Sequence, residues 1–318
     1  MNYIIVLIVL IVLELLYFKL ADRFNIIDKP NERSSHSTVT LRGGGIVFYF
    51  GALIFFILSG FQYPWFFLGL TLMTAVSFLD DVFTLSNKIR LLIHFSSVLL
   101  MAFQWDLFSM PWYYLLITFI IVVGVINAYN FMDGINGITA CYSLAVGALL
   151  TIANGQNHFI EQDLLTYSLM GVLVFAFFNF RAKAKCFAGD VGAVAIAFIL
   201  LFALGTLIIK TSNAIYILFL AVYGIDAVWT IVRRLVKKEN IFEAHRSHLY
   251  QFLGNEANVN KLVISFSYGL IQLLIGLLII QFSDQNATAQ IIFAVSLLIV
   301  LSVIYLILKT YIIKKYVK

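Results

Sequence analysis

The chain has 318 residues, 62% of them hydrophobic and only 12% charged, with a net charge of +5. That balance excludes a soluble fold built as an apolar core inside a polar shell. The basic residues sit beside apolar runs rather than in a basic domain, so nucleic acid is excluded as a partner and the lipid bilayer is the expected solvent.

The apolar runs have the roughly 20-residue length of membrane-crossing helices, and none alternates with period two as a barrel strand would. They predict an all-α, polytopic helical membrane protein with about eleven transmembrane helices, organised as a single integral-membrane domain over residues 1–318. The spans are expected at roughly 3–18, 46–60, 64–79, 91–104, 111–126, 138–153, 164–180, 191–209, 213–232, 262–281 and 289–308. No Lys or Arg precedes the first run, and Lys19 follows it, so the first span is expected to be retained with the N-terminus outside. Alternating from there puts the C-terminus in the cytoplasm and every one of the 21 basic residues except Lys210 inside.

The first inside segment carries Arg33-Ser-Ser-His36 and Arg42-Gly43-Gly44-Gly45. Guanidinium groups, hydroxyls and backbone N–H groups freed of side chains suit a phosphate. A flexible basic loop against anionic headgroups is the alternative. The second inside segment opens on Asp80-Asp81, ahead of Lys88 and Arg90. Adjacent carboxylates at a bilayer edge call for a cation or a basic group, so either a metal-phosphate site or an ion-paired helix end is expected.

The run Asn127-Ala-Tyr-Asn130-Phe-Met-Asp133-Gly134-Ile-Asn136-Gly137 puts amides and a carboxylate where hydrocarbon meets water. Spaced every third residue, these groups drift only about 60° per step on a helix, so Asn127, Asn130 and Asp133 share a face, and Asn136 falls about 180° from Asn127. A purely structural hydrogen-bonded patch between helices is the competing reading. Asp190, between Gly189 and Val191, follows three bases and opens a span, where an aspartate also serves as a helix cap. The last long inside segment holds His245-Arg246-Ser-His248-Leu-Tyr250, with Asp226 before Arg233 and Arg234 either as an ion-pair partner of one of them or as a catalytic part. Histidine, arginine and tyrosine there suit an anion and a base, and too few ligands gather for zinc. Glu14 and His94 are expected to be buried polar residues facing the bundle interior. Cys141 and Cys186 receive no role.

Every dense polar cluster thus falls on one side, which favours surface chemistry on one polar and one lipid-embedded substrate. A transporter or flippase of a phosphorylated lipid or lipid-linked sugar is the alternative, although its ionisable groups belong nearer the midplane.

Taken in order, Asp80-Asp81, Asn127-x-x-Asn130-x-x-Asp133-Gly134, Gly189-Asp190-x-Gly192 and His245-Arg246-Ser-His248-Leu-Tyr-Gln resemble the polyprenyl-phosphate N-acetylhexosamine-1-phosphate transferases, relatives of phospho-N-acetylmuramoyl-pentapeptide transferase. The resemblance implies a magnesium-dependent enzyme of the bacterial cytoplasmic (inner) membrane with its active site on the cytoplasmic face; manganese is a compatible substitute. Its implied substrates are a UDP-N-acetylhexosamine, UDP-GlcNAc foremost, and undecaprenyl phosphate. Its products would be UMP and a lipid-linked sugar pyrophosphate that initiates a cell-surface polysaccharide. A homodimer is compatible with the resemblance. The implied roles are Asp190 and Asn130 as metal ligands; Asp80, Asp81 and Asp133 as catalytic carboxylates; and Asn127, Asn130, Arg33, His36, Arg42, His245, Arg246 and His248 as substrate contacts.

The His-Arg-Ser-His pattern is similar to enzymes that start surface polysaccharides, and it disfavours the muramoyl-pentapeptide enzyme. The chain departs from the family at Asn136, where an acid is common, and at Val39 and Leu41, where prolines are. Asn136 is expected to support the site by hydrogen bonding, with Asn136→Asp tolerated. The Asp-Gly-x-x-Ala-Arg pattern of alcohol phosphatidyl transfer is absent after Asp133.

Overall fold

A computed structural model describes residues 2–30, 38–83, 85–240 and 246–317; Arg33, His36 and His245, three of the expected substrate contacts, lie outside the described residues. Helices α1 (Tyr3–Arg23), α2 (Ile46–Leu58), α3 (Pro64–Phe83), α4 (Asn87–Gln104), α5 (Trp112–Met132) and α6 (Ile138–Asn157) form the first half. The second half is α7 (Gln162–Asn179), α8 (Gly189–Thr211), α9 (Ala221–Val236), the short α10 (Leu249–Gln251), α11 (Lys261–Phe282) and α12 (Ala287–Tyr316). Each expected span coincides with one of these helices, α9 together with the 3-10 turns Ala214–Leu220 that lead into it.

Among the described residues, nine helices are long and apolar enough to cross a membrane, counting Ala214–Val236 as one. The other two coincidences are α2, with 13 residues, and α4, whose first turns carry Lys88 and Arg90. The chain is therefore a polytopic helical membrane protein. It also contains one element the apolar pattern did not announce, a small antiparallel ribbon of β1 (Ile27–Asp28) and β2 (Thr40–Leu41), extended by a parallel bridge from Leu41 to Cys186.

Helix α8 is the hub. It is apolar all round, and residues Val191 to Leu204 are buried without interruption, as expected of a helix enclosed by others rather than lying on a surface. Its N-terminal end admits α2 closely: a Cβ on Gly45 would stand 2.4 Å from the Gly192 Cα, so both positions must be glycine for the backbones to meet. Farther along, Phe66 stacks on Phe202 at 4.0 Å, and the Trp105 indole donates to Thr206 Oγ1 at 2.9 Å. The 3-10 turns before α9 break the regular backbone ladder inside an apolar region. Buried Gln272 repairs the break, donating to Leu218 O at 3.1 Å and accepting from Val222 N at 3.0 Å. By contrast, the 30 residues of α12 bury only Tyr305, Lys309 and Ile312.

Candidate active site

Five separated segments meet at one end of the bundle: the C-terminal turns of α3 and α5, the first turn of α4, the N-terminus of α8, and the Arg42–Gly45 turn that enters α2. Asp81 is the centre of this junction. Its side chain is fully buried, and it accepts hydrogen bonds from Asp190 N (3.2 Å) and Val191 N (3.1 Å), with Arg42 Nε at 2.7 Å. A carboxylate from α3 thus supplies the negative charge that the exposed N–H groups of the α8 N-terminus attract. Gly189 makes the approach feasible. Its φ of +72° favours glycine, and a Cβ there would lie 2.6 Å from Asp81 Oδ2.

Ion pairs radiate from that centre. Arg42 Nη2 reaches Asp190 Oδ1 at 3.2 Å; Arg90 reaches Asp80 Oδ2 at 2.8 Å through Nη1 and Asp190 Oδ2 at 3.9 Å through Nη2. Asp80 Oδ1 also accepts from Leu85 N at 2.7 Å. The result is an alternating row, Asp81, Arg42, Asp190, Arg90, Asp80, in which each guanidinium bridges two acids. The repulsion expected of adjacent carboxylates is met by Arg42 and Arg90. Burial works against the Arg42 charge, yet Asp81, Asp190 and Asp28 together hold its pKa above the ordinary value. Of the three acids, Asp190 has the most exposed side chain, 21% against 10% for Asp80 and none for Asp81.

Asp133, immediately after α5, is half-buried and accepts from Thr139 Oγ1 at 2.6 Å. Burial pushes its pKa up to about 6, with Asp190 adding to the rise and the Thr139 hydrogen bond and Arg42 opposing it. The shared electrostatics tie Asp133 to the Asp190 cluster. Asn127 and Asn130 part company: Asn127 is exposed and donates to Val123 O of its own helix at 2.8 Å, whereas Asn130 is half-buried with no side-chain partner among the described residues.

Two N–H groups of the glycine triplet are engaged within the protein. Gly44 N donates to Phe187 O (2.9 Å) and Gly45 N to Ala188 O (3.1 Å), because the turn pairs with the strand-like stretch before α8. Asp226 does not pair with Arg233 or Arg234. Arg234 meets Glu239 at 3.4 Å, while Asp226 lies 3.3 Å from Nδ1 of His248, a side chain only 2% exposed. Arg246 meets Glu256 at 3.3 Å. Glu14 is buried as expected, accepting from the Cys186 thiol at 3.7 Å, whereas His94 is only half-buried. The residues that sequence reasoning missed are Thr139, whose threonine signal is generic, and Tyr305 and Lys309, which lie in an otherwise lipid-like helix.

Asn136 falls where the helix has already ended, so the 180° arithmetic does not apply to it. Its Nδ2 donates to Arg181 O at 2.7 Å and Ala182 O at 3.4 Å, and Ser265 donates to its backbone oxygen at 2.8 Å. This is a supporting role, and one that only a donor fills. The expected tolerance of aspartate is therefore revised: a carboxylate would face two carbonyl oxygens. Asn136→Ala should lower the thermal midpoint slightly, and Asn136→Asp should destabilise more, by about 1–3 kcal/mol. Equal midpoints for Asn136→Asp and wild type in detergent would refute that role.

Hard oxygen donors at Asp190, Asp133 and Asn130 fit a magnesium ion held by one or two carboxylates together with substrate phosphates. They do not make an all-protein cage, since no group of three or more His, Cys, Asp or Glu among the described residues could hold a metal ion.

Residues 63–212 match the glycosyl transferase family 4, a stretch that contains Asp80, Asp81, Asp133 and Asp190. The chain is 26% identical to the probable undecaprenyl-phosphate N-acetylglucosaminyl 1-phosphate transferase of Bacillus subtilis, over 79% of this chain and 76% of that one. It is 27% identical to the undecaprenyl-phosphate alpha-N-acetylglucosaminyl 1-phosphate transferase of Thermotoga maritima over 81% and 83%. The similarly named protein of Yersinia pestis is 26% identical over 74% and 71%.

Proposed function

We propose, from the premise that the chain belongs to the polyprenyl-phosphate N-acetylhexosamine-1-phosphate transferase family, that it moves an N-acetylhexosamine-1-phosphate, foremost GlcNAc-1-phosphate, from a UDP-sugar to undecaprenyl phosphate. The single observation that supports this most is the alternating acid and arginine row around the partly exposed Asp190. Its three carboxylates and two guanidiniums leave one net negative charge, which suits a divalent cation bound together with the incoming phosphate oxygens.

In the reaction an oxygen of the lipid phosphate bonds to the β-phosphorus of the UDP-sugar. The bond from that phosphorus to the oxygen shared with the α-phosphate breaks, and its electron pair leaves with UMP. A phosphate monoester with a second pKa of about 6 is already mostly a dianion at pH 7, so no side chain has to remove a proton. The problem is bringing two anions together. Asp190, with Asp133 and Asn130, would hold magnesium, which when bound neutralises pyrophosphate charge and stabilises the leaving phosphate. Arg42 and Arg90, each with 34% of the side chain exposed, offer guanidinium edges to entering phosphates while each keeps a carboxylate partner. Asp80 orients Arg90, and Asp81 orients Asp190. Arg33, His36, His245 and Arg246 are the remaining donors for the nucleotide-sugar, with His248 acting from within the protein.

Purified protein with undecaprenyl phosphate and magnesium should release UMP from UDP-GlcNAc or another UDP-amino sugar in a panel. A transporter or flippase would release none, and that result would end the transferase reading.

The same reading has eleven spans, the N-terminus outside, and the site on the cytoplasmic face of a bacterial inner membrane. Cysteines introduced at Ser86 and Asn240 should then resist an impermeant thiol reagent in intact cells, while one at Asn157 should react. Reversed labelling would invert the topology.

A further inference from the structure

Helix α12 is the least enclosed of the long helices, and its buried positions among the described residues are Tyr305, Lys309 and Ile312, spaced along one face. A helix standing against lipid has no reason to bury a lysine inward. Burying a charge is costly unless it is paired and hydrogen-bonded. The environment of Lys309 answers that cost with a specific set of partners. Its Nζ donates to Thr230 Oγ1 at 3.0 Å and to the Tyr305 hydroxyl, and Tyr305 in turn donates to Asp226 Oδ1 at 3.1 Å.

Asp226, 1% exposed, is the collecting point. Its Oδ1 also accepts from Leu249 N at 3.0 Å and lies 3.3 Å from His248 Nδ1, while Oδ2 accepts from Tyr268 at 2.9 Å. One carboxylate therefore ties α9, α11 and α12 to the first residues of α10. The apolar contacts agree, for Tyr305 and Ile312 pack with Leu249 and Phe252, and the Lys309 ammonium stands 5.9 Å from the centre of the Phe252 ring. From α10 the chain of contacts continues to the candidate active site. His248 stacks on Tyr250 at 5.8 Å, and the buried Tyr250 hydroxyl donates to Phe131 O at 2.9 Å. A Cβ on Gly134 would meet that hydroxyl at 2.1 Å, so Tyr250 sits directly on the Asp133 turn.

We infer that Lys309 and Tyr305 are positioning residues: through Asp226 they hold the segment 246–256 against the Asp133 turn, so that α12 acts as a strut for one wall of the site. The kinetic consequence rests on the transferase reading above, with this segment contacting the nucleotide-sugar; the structural consequence does not depend on it. The partners are local and buried, so removing one should loosen the segment without unfolding the distant core.

The test uses the full chain in lipid nanodiscs. Lys309→Met keeps the length of the side chain and removes its charge; Tyr305→Phe removes one hydroxyl. Amide hydrogen exchange should quicken about tenfold or more in peptides covering 247–256 for Lys309→Met, and less for Tyr305→Phe, with α2 and α8 unchanged. The double variant Lys309→Met, Asp226→Asn should exchange no faster there than Asp226→Asn alone, as required of residues acting through one another. With UDP-GlcNAc, Lys309→Met should raise the KM for the nucleotide-sugar about tenfold and leave that for undecaprenyl phosphate unchanged. A merely structural role would lower the active fraction and hence kcat, not one KM. Unchanged exchange at 247–256, additive effects in the double variant, or a fall in kcat alone would each overturn the inference. If the wild type released no UMP, the transferase reading would fall, and the exchange comparison would still decide this one.

Discussion

Asp190→Asn should abolish UMP release, by at least about 100-fold in kcat, while the protein keeps its thermal midpoint in detergent. Asp190 opens α8 with its side chain partly open to the site, and its backbone N–H, not its carboxylate, is what binds Asp81. Substitution by the amide keeps the shape and the helix start, so Asp81 still caps the helix and Arg42 still has Asp81 at 2.7 Å. What disappears is a full negative charge for a hard divalent ion, which an amide oxygen replaces poorly. Activity within a few-fold of wild type at saturating magnesium would take Asp190 out of the metal site. A fall in the midpoint equal to the loss of activity would make its role structural.

The fold was legible because membrane spans are written in a single variable. Hydrophobic length marks every long helix, from the continuously apolar α8 to α4, whose first turn with Lys88 and Arg90 lies ahead of the apolar run. The ribbon of Ile27–Asp28 with Thr40–Leu41 was not legible, since two-residue strands leave no periodicity and their register depends on the distant Cys186. The site was legible as a set of residues and much less as a set of roles. Asp80, Asp81, Asp133 and Asp190 declare themselves because carboxylates at apolar boundaries are conspicuous. Whether a carboxylate faces substrate or a helix N-terminus depends on side-chain direction across a tertiary contact, which spacing along one helix does not encode. The same holds for Arg42, whose place beside the glycines suggested phosphate and whose partners are Asp81 and Asp190. Lys309 is in sequence one more base at the end of an apolar run, and nothing in its neighbouring sequence announces the buried cluster around Asp226 as its destination.

Asp81 is where that distinction has its largest consequence. Asp80 and Asp81 are neighbours in sequence, but the geometry divides them: Asp80 is partly exposed and bound to Arg90, and Asp81 is sealed beneath the α8 N-terminus. Asp81→Ala should therefore behave unlike Asp190→Asn, losing activity and stability together. It strands the N–H groups of Asp190 and Val191 and leaves Arg42 with a single close acid. Removing one partner of a buried charged set costs about 3 kcal/mol, and the 34% exposure of Arg42 moderates the figure toward its lower end. Asp81→Asn should rescue little, because its NH2 group would meet either a backbone N–H or the Arg42 guanidinium, donor against donor. The measurements are the thermal midpoint in detergent and UMP release on the folded fraction. If Asp81→Asn kept the wild-type midpoint and lost activity wholly, Asp81 would be a catalytic carboxylate in contact with substrate, and its place under α8 would not be its function.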